Sequence, residues 1–254
     1  MENIIDLTGK KIIVVGASSG IGRKTAMTLD SVGAIVIPVA RREDKLAELV
    51  KELGKRSSKY YVSDISEHDK IEALVKKIID DNGPIDGMVY AAGIGTSMAL
   101  MQCKPEKVKQ MFDVNYFGFV ETVRQICRKG RFNPGMRIVG VSSTASLHGD
   151  KAKTIYSSSK AAMNSAIRCI AKEVAEKEIC INAVAPAMTA TEMYNHFIEK
   201  FGEDSASNEE LLKRQYLGIA HTEDIANAIA FLISPAARFI TGITLPVDGG
   251  TTSS

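Results

Sequence analysis

Short, wholly apolar runs alternate with longer stretches in which apolar positions recur every three to four residues, and this rhythm lasts almost to the end of the chain. Residues 11–16 (KIIVVG) read as a buried strand, and residues 20–32 as the helix behind it. The step repeats as strand 34–40 with helix 42–53, strand 59–62 with helix 67–81, and strand 85–91 with a long helix from about 105 to 128. It continues as strand 136–141 with helix 154–178 and then strand 179–184, before helix 223–233 leads into strand 243–247.

Strands that are apolar throughout, rather than alternating, imply burial on both faces. One helix between successive strands implies a parallel sheet with right-handed crossovers. The expected fold is therefore α/β, a Rossmann-like doubly wound parallel sheet of seven strands with helices on both faces. A TIM barrel competes at this length, but seven strands and a glycine-rich turn after the first favour the open sheet. Nothing in the sequence divides the chain, so residues 1–254 are read as one domain. The rhythm breaks once, over about 186–220, where two short helical pieces (194–201 and 208–214) flank a polar stretch. That segment is expected to be a substrate lid, or else a surface excursion.

Composition narrows the class without choosing a function. The chain has 254 residues, 45% of them hydrophobic, enough for a core without disulfide or metal staples. Lys+Arg 32 against Asp+Glu 30 leaves a net charge of only +2, which argues against a nucleic-acid or membrane-surface partner. The four cysteines have no metal-ligand spacing and read as buried small hydrophobes in a reducing, cytoplasmic setting, and no metal site is expected. No signal peptide and no membrane-spanning run are expected.

The first candidate chemistry lies at the turn Gly16-Ala17-Ser18-Ser19-Gly20-Ile21-Gly22, between the first strand and its helix. Glycines let a backbone turn sharply and approach a pyrophosphate, and the helix N-terminus offers it free N–H groups. The second strand ends at Val39-Ala40-Arg41-Arg42, with no acid until Glu43. A carboxylate there would bind the 2′-hydroxyl of NAD. Two guanidiniums instead point to the 2′-phosphate of NADP(H), unless they merely solvate a helix start. Arg23 and Lys24, just past the turn, would add to the same positive field.

A second constellation lies downstream. Among seven tyrosines only Tyr156 has a lysine four residues on, Lys160, and i, i+4 residues share a helix face. Ser143 sits at the carboxyl end of the fifth strand, where open sheets place ligands. Hydride transfer to a carbonyl needs a proton donor and an anchor for the oxygen. Tyr156 can donate, Ser143 can anchor, and an ammonium at Lys160 would lower the phenol pKa from about 10. Singly each residue has an ordinary structural explanation; jointly they point to a carbonyl reductase or alcohol dehydrogenase.

In this order the residues resemble the short-chain dehydrogenase/reductase family, from Gly16 to Gly250. The resemblance implies that Asp64, followed by Ile65, binds the adenine amino group, and that Ala91, Ala92 and Gly93 line the adenine ribose. It also implies that Asn115 holds a water of the proton relay and completes a tetrad with Ser143, Tyr156 and Lys160. Lys160 would further bind the nicotinamide ribose, with Pro186 and Thr191 on the cofactor as well. Tyr90 and Ala91 replace two asparagines that usually support the sheet, which implies weaker support. Ala187 replaces a glycine after Pro186, which would be costly if the backbone there has positive φ.

Among subfamilies the pattern is most similar to 3-oxoacyl-[acyl-carrier-protein] reductases, which implies acyl carrier protein as a partner. Lys177 matches one basic docking position, but Pro134 stands at the other with Arg131 nearby. A homo-oligomer, tetramer or dimer, follows from family habit. Two alternatives stay open: an NAD-dependent sugar, polyol or sterol alcohol dehydrogenase, and a non-catalytic dinucleotide sensor or scaffold. His148 reads as structural, and Met188 and Met193 as lining an apolar substrate pocket or packing the lid.

Overall fold

The computed structural model describes residues 4–201 and 213–253. Seven parallel strands form one sheet: β1 (Lys11–Val15), β2 (Ile35–Ala40), β3 (Tyr61–Val62), β4 (Ile85–Tyr90), β5 (Phe132–Val141), β6 (Cys180–Pro186) and β7 (Thr244–Val247). Their order is β3-β2-β1-β4-β5-β6-β7, so the chain reverses direction of travel between β1 and β4. Parallel pairing throughout matches the doubly wound sheet expected from the apolar runs.

Alternate residues of each strand feed two separate cores, because successive side chains point to opposite faces. From β1, Ile13 and Val15 join one core with Val75 and Ile78 of α3 (Ile71–Asn82), Phe119 and Val123 of α5 (Gly118–Ile126), and Met163 and Ile167 of α6 (Thr154–Val174). Ile12 and Val14 join the other, with Ala26 and Leu29 of α1 (Gly20–Ser31), Leu46 and Leu49 of α2 (Glu43–Glu52), and Ile225 and Ile229 of α8 (Thr222–Ile233). Burying one leucine or isoleucine side chain contributes about 1.5–3 kcal/mol, so these two layers dominate the stability of the sheet. Among the described residues no helix is long and apolar enough to cross a membrane.

Several elements differ from the expected ones. The helix expected over 105–128 is divided into α4 (Pro105–Phe112), a π-helical turn (Asp113–Phe117) and α5. β5 begins at Phe132 rather than 136, and its register against β4 shifts between Ile85 and Gly87, so Pro134 and Gly135 lie inside the strand. β3, at the sheet edge, keeps only two paired residues. In the segment after β6, α7 spans Glu192–Phe201. Most of the helical piece expected over 208–214 falls outside the described residues. The four cysteines are free, but against the expectation of burial only Cys127 is buried, Cys103 and Cys180 are partly exposed and Cys169 is exposed on α6.

Candidate functional site

At the carboxyl end of β1 the chain turns directly into α1, and glycine is required there for contact as well as conformation. Gly16 has φ +86°, and a Cβ on it would lie 2.5 Å from the backbone nitrogen of Ala92. A Cβ on Gly22 would lie 2.2 Å from the carbonyl oxygen of Gly16. The turn is thus pressed against the end of β4, and a bare backbone cradle opens beside the first turn of α1. Ser19, the N-cap, makes no side-chain capping bond to the unsatisfied N–H groups there. A cradle of this kind fits the pyrophosphate of a dinucleotide.

The two arginines that follow the second strand line the same cleft as this cradle. Arg42 Nε and Nη2 lie 3.3 and 3.2 Å from Ser18 Oγ, joining the strand end to the glycine-rich turn. Arg41 Nη1 lies 3.5 Å from Asp64 Oδ2. Burial pushes the Asp64 carboxyl up, but bonds from the Ser66 backbone and hydroxyl, with Arg41 beside it, hold it below the ordinary range. Arg23 and Lys24 do not join this field as expected. They pair with Glu52 and Glu223, because α1 packs between α2 and α8.

Ser143, Tyr156 and Lys160 come together at the ends of β5 and α6. Ser143 follows β5 with an extended backbone, and its Oγ accepts from Ala145 N at 3.2 Å. Tyr156 stands in the first turn of α6, and burial raises its phenol pKa, a hydrogen bond with Ser143 acting the other way. Lys160 is 4% exposed, and its Nζ donates to Val141 O at 2.8 Å. Burial lowers its pKa to about 8. The expected depression of Tyr156 by Lys160 is therefore not what this structure shows: the ammonium is directed to the β5 carbonyl, and desolvation of the phenol outweighs the favourable bond.

Asn115 lies behind these residues, fully buried in the π-helical turn. Its amide donates to Ile94 O and Ser159 Oγ, each at 2.9 Å, and its Oδ1 accepts from Ile94 N at 2.9 Å. It thereby fixes the loop after β4, where a Cβ on Gly93 would lie 3.1 Å from Lys160 Nζ. The weaker support expected from Tyr90 is corrected here. Its hydroxyl donates to Val114 O at 2.6 Å, and its ring packs edge-on against Phe119. His68 Nε2 lies 2.9 Å from Asp113 O, so two carbonyls of the π turn have side-chain partners.

After β6, Ala187 is accommodated without strain: among the described residues only Ala152 and Glu178 are non-glycine positions with positive φ. Gln215, which sequence reading missed, holds both backbone groups of Met188, accepting from its nitrogen at 3.0 Å and donating to its oxygen at 2.9 Å. No local pattern announces it, since the pairing spans 27 positions. His148 sits 3.6 Å from Asp150, which binds Arg214 at 2.9 Å.

All seventeen sequence-predicted cofactor residues line one cleft of ≈ 490 Å³. They run from Gly16, Ser18, Ser19, Gly20, Ile21 and Gly22, through Arg41, Arg42, Asp64 and Ile65, to Ala91, Ala92, Gly93, Tyr156, Lys160, Pro186 and Thr191. Ser143, Met188 and Met193 line it too, whereas Asn115 supports it from behind. The site therefore lies at the carboxyl ends of the strands, around the β1/β4 reversal, where open parallel sheets bind ligands. Among the described residues no cluster of three or more His, Cys, Asp or Glu side chains could hold a metal ion.

Comparison with known proteins agrees with this geometry. Residues 16–252 match the family described as enoyl-(acyl carrier protein) reductase. An L-xylulose reductase from Caenorhabditis elegans is 34% identical over 251 residues, 96% of each chain. A 3-oxoacyl-[acyl-carrier-protein] reductase, FabG, from Thermotoga maritima is 32% identical over 247 residues, covering 96% of this chain and 98% of the relative. The crystal structure of a putative short-chain alcohol dehydrogenase from Sinorhizobium meliloti superposes with a TM-score of 0.91 at 27% identity, covering 99% of this chain and 100% of that one.

Proposed function

The chain belongs to the short-chain dehydrogenase/reductase family, and on that premise we propose that it transfers hydride between NADP(H) and a small carbonyl or secondary alcohol. The supporting observation is the single cleft that unites the glycine cradle with Ser143, Tyr156 and Lys160. When bound, the nicotinamide supplies or accepts the hydride. Gly16, Gly20 and Gly22 admit the pyrophosphate, Asp64 and Ile65 meet the adenine, and Ala91, Ala92, Gly93, Pro186 and Thr191 line the remainder. Ser18, Arg41 and Arg42 support NADP(H) over NAD(H).

Tyr156 is the acid in reduction and the base in oxidation. Burial keeps its phenol protonated at neutral pH, the form that gives a proton to a developing alkoxide at Oη. Ser143 anchors the same substrate oxygen through Oγ. Lys160, with a pKa of about 8, holds a proton near neutrality beside the ribose site. Asn115 keeps the loop at Gly93 against Lys160. The described part of the segment after β6, through α7, lines the cleft with Met188 and Met193 and is read as the lid.

A free small molecule is favoured over an acyl chain on acyl carrier protein. Lys177 is exposed, its Nζ 3.4 Å from Cys127 O, but Arg131 is held by Gln125 and Glu72 and largely buried, so only one of the two basic positions is open to a carrier protein. Free cysteines support a cytoplasmic setting. The exposed Phe239 and Leu217 beside the edge strand β7 support a homo-oligomer. Tyr156→Phe should lower kcat by about 10²–10⁴-fold while the Kd for NADPH changes less than about twofold. Full turnover in that variant overturns the proposal.

A further inference from the structure

We propose that Glu192 is a specificity-determining residue for the cofactor: its carboxylate occupies Arg42 and so weakens NADP(H) binding selectively, leaving NAD(H) binding almost untouched. This inference rests on the dinucleotide reading of the cleft. The strand that leads into Arg41 and Arg42 brings no acid of its own to the cofactor corner. The fold supplies two from elsewhere. Asp64, after β3, pairs with Arg41, and Glu192, the first residue of α7, pairs with Arg42 across 150 positions, its Oε2 3.4 Å from Nη1.

Arg42 thus bridges Ser18 on the glycine-rich turn and Glu192 on the segment after β6. Glu192 is held there by its neighbour. Thr191 Cγ2 lies 3.4 Å from where a Cβ on Gly20 would stand, and Thr191 Oγ1 accepts from Tyr194 N at 3.2 Å. Both charged groups line the cleft, and their side chains are 44% and 66% exposed, so a ligand can reach them.

The effect depends on the charge at the 2′ position. A 2′-phosphate is dianionic or nearly so, and to pair with Arg42 it must displace the carboxylate that already occupies it. A 2′-hydroxyl carries no charge and can donate to Glu192 while the pair stays intact. Removing the carboxylate therefore helps one dinucleotide and not the other. Because the pair is exposed, the gain is modest and screened by salt.

Equilibrium Kd values for NADPH and NADH, read by the fluorescence of the reduced dinucleotide, test this on the full chain. The set comprises wild type, Glu192→Gln, Arg42→Ala and the double variant, with circular dichroism to check folding. Glu192→Gln should tighten NADPH by about three- to tenfold and change NADH by less than about twofold. In the Arg42→Ala background the same substitution should change NADPH by less than about twofold. Equal shifts for both dinucleotides, or no shift for NADPH with Arg42 present, overturn the role of Glu192. Failure of wild type to bind either dinucleotide overturns the reading of the cleft itself, and this inference with it.

Discussion

The hydroxyl of Tyr90 donates a 2.6 Å hydrogen bond to the carbonyl of Val114, tying the end of β4 to the π-helical turn that carries Asn115. Burial, reinforced by the charge of Asp64, pushes the Tyr90 phenol far above its ordinary pKa, so it remains a donor across the working range. Tyr90→Phe leaves a carbonyl in the interior without this partner and should cost about 1–2 kcal/mol in urea denaturation. Activity should fall with it, through the position of Asn115. An unchanged unfolding midpoint would show that the bond does not support the site.

Lys160 links stability to pH in a definite direction. Its pKa is about 8 in the folded chain against an ordinary 10.5. Below pH 8 it is charged in both states, and holding that charge in the interior costs about 2–4 kcal/mol. Between about pH 8 and 10.5 the unfolded chain binds more protons than the folded one, so the penalty fades as pH rises. Lys160→Met should therefore abolish turnover yet raise the stability of the ligand-free protein at pH 7. Thermal unfolding of both proteins should show that advantage shrinking between pH 8 and pH 10. An advantage independent of pH would contradict the buried charge.

Two glycines with similar backbones separate conformation from contact. Gly9 has φ +74°, and a Cβ on it would meet nothing within 4 Å, whereas a Cβ on Gly16, at φ +86°, would meet the Ala92 backbone at 2.5 Å. Gly9→Ala carries only the left-handed penalty, about 1–2 kcal/mol. Gly16→Ala adds displacement of the turn from β4, and should exceed Gly9→Ala by at least about 1 kcal/mol in chemical denaturation. It should also weaken NADPH binding more than about tenfold, while Gly9→Ala leaves it unchanged. Equal effects of the two substitutions would mean that the close approach to Ala92 is unimportant.

What could be read from the sequence was local. The apolar runs gave the seven strands because burial on both faces leaves no polar alternation to confuse them. The i, i+4 relation of Tyr156 and Lys160 needed only a helix, and α6 provides one. What escaped depends on contacts between distant positions. The π turn at Asp113–Phe117 has no proline to announce it. It forms where Gly118 lets Tyr90 and the Ile65 carbonyl approach so closely that a Cβ would lie 2.6 and 2.7 Å from them. The early start of β5 lies before Pro134 and Gly135, which interrupt the apolar run yet fall within an irregular stretch of strand. Gln215 and Glu192 reach their partners across 27 and 150 positions, beyond any periodicity.

The clamp on Met188 has a consequence for how such a site can diversify. Gln215 grips both backbone groups of Met188, and next to it Thr189 and Ala220 form an isolated parallel bridge, with Ala190 N donating to Ala220 O at 2.9 Å. The chain is pinched into a closed neck directly above the sheet. Because the cost of closing a loop grows only with the logarithm of its length, residues can be gained or lost beyond the neck with little effect on the strands below. The cradle and the Tyr156–Lys160 pair stay in register whatever the length of chain between Ala190 and Gln215. The neck thus makes α7, which brings Met193 to the cleft, an interchangeable cartridge on a fixed frame.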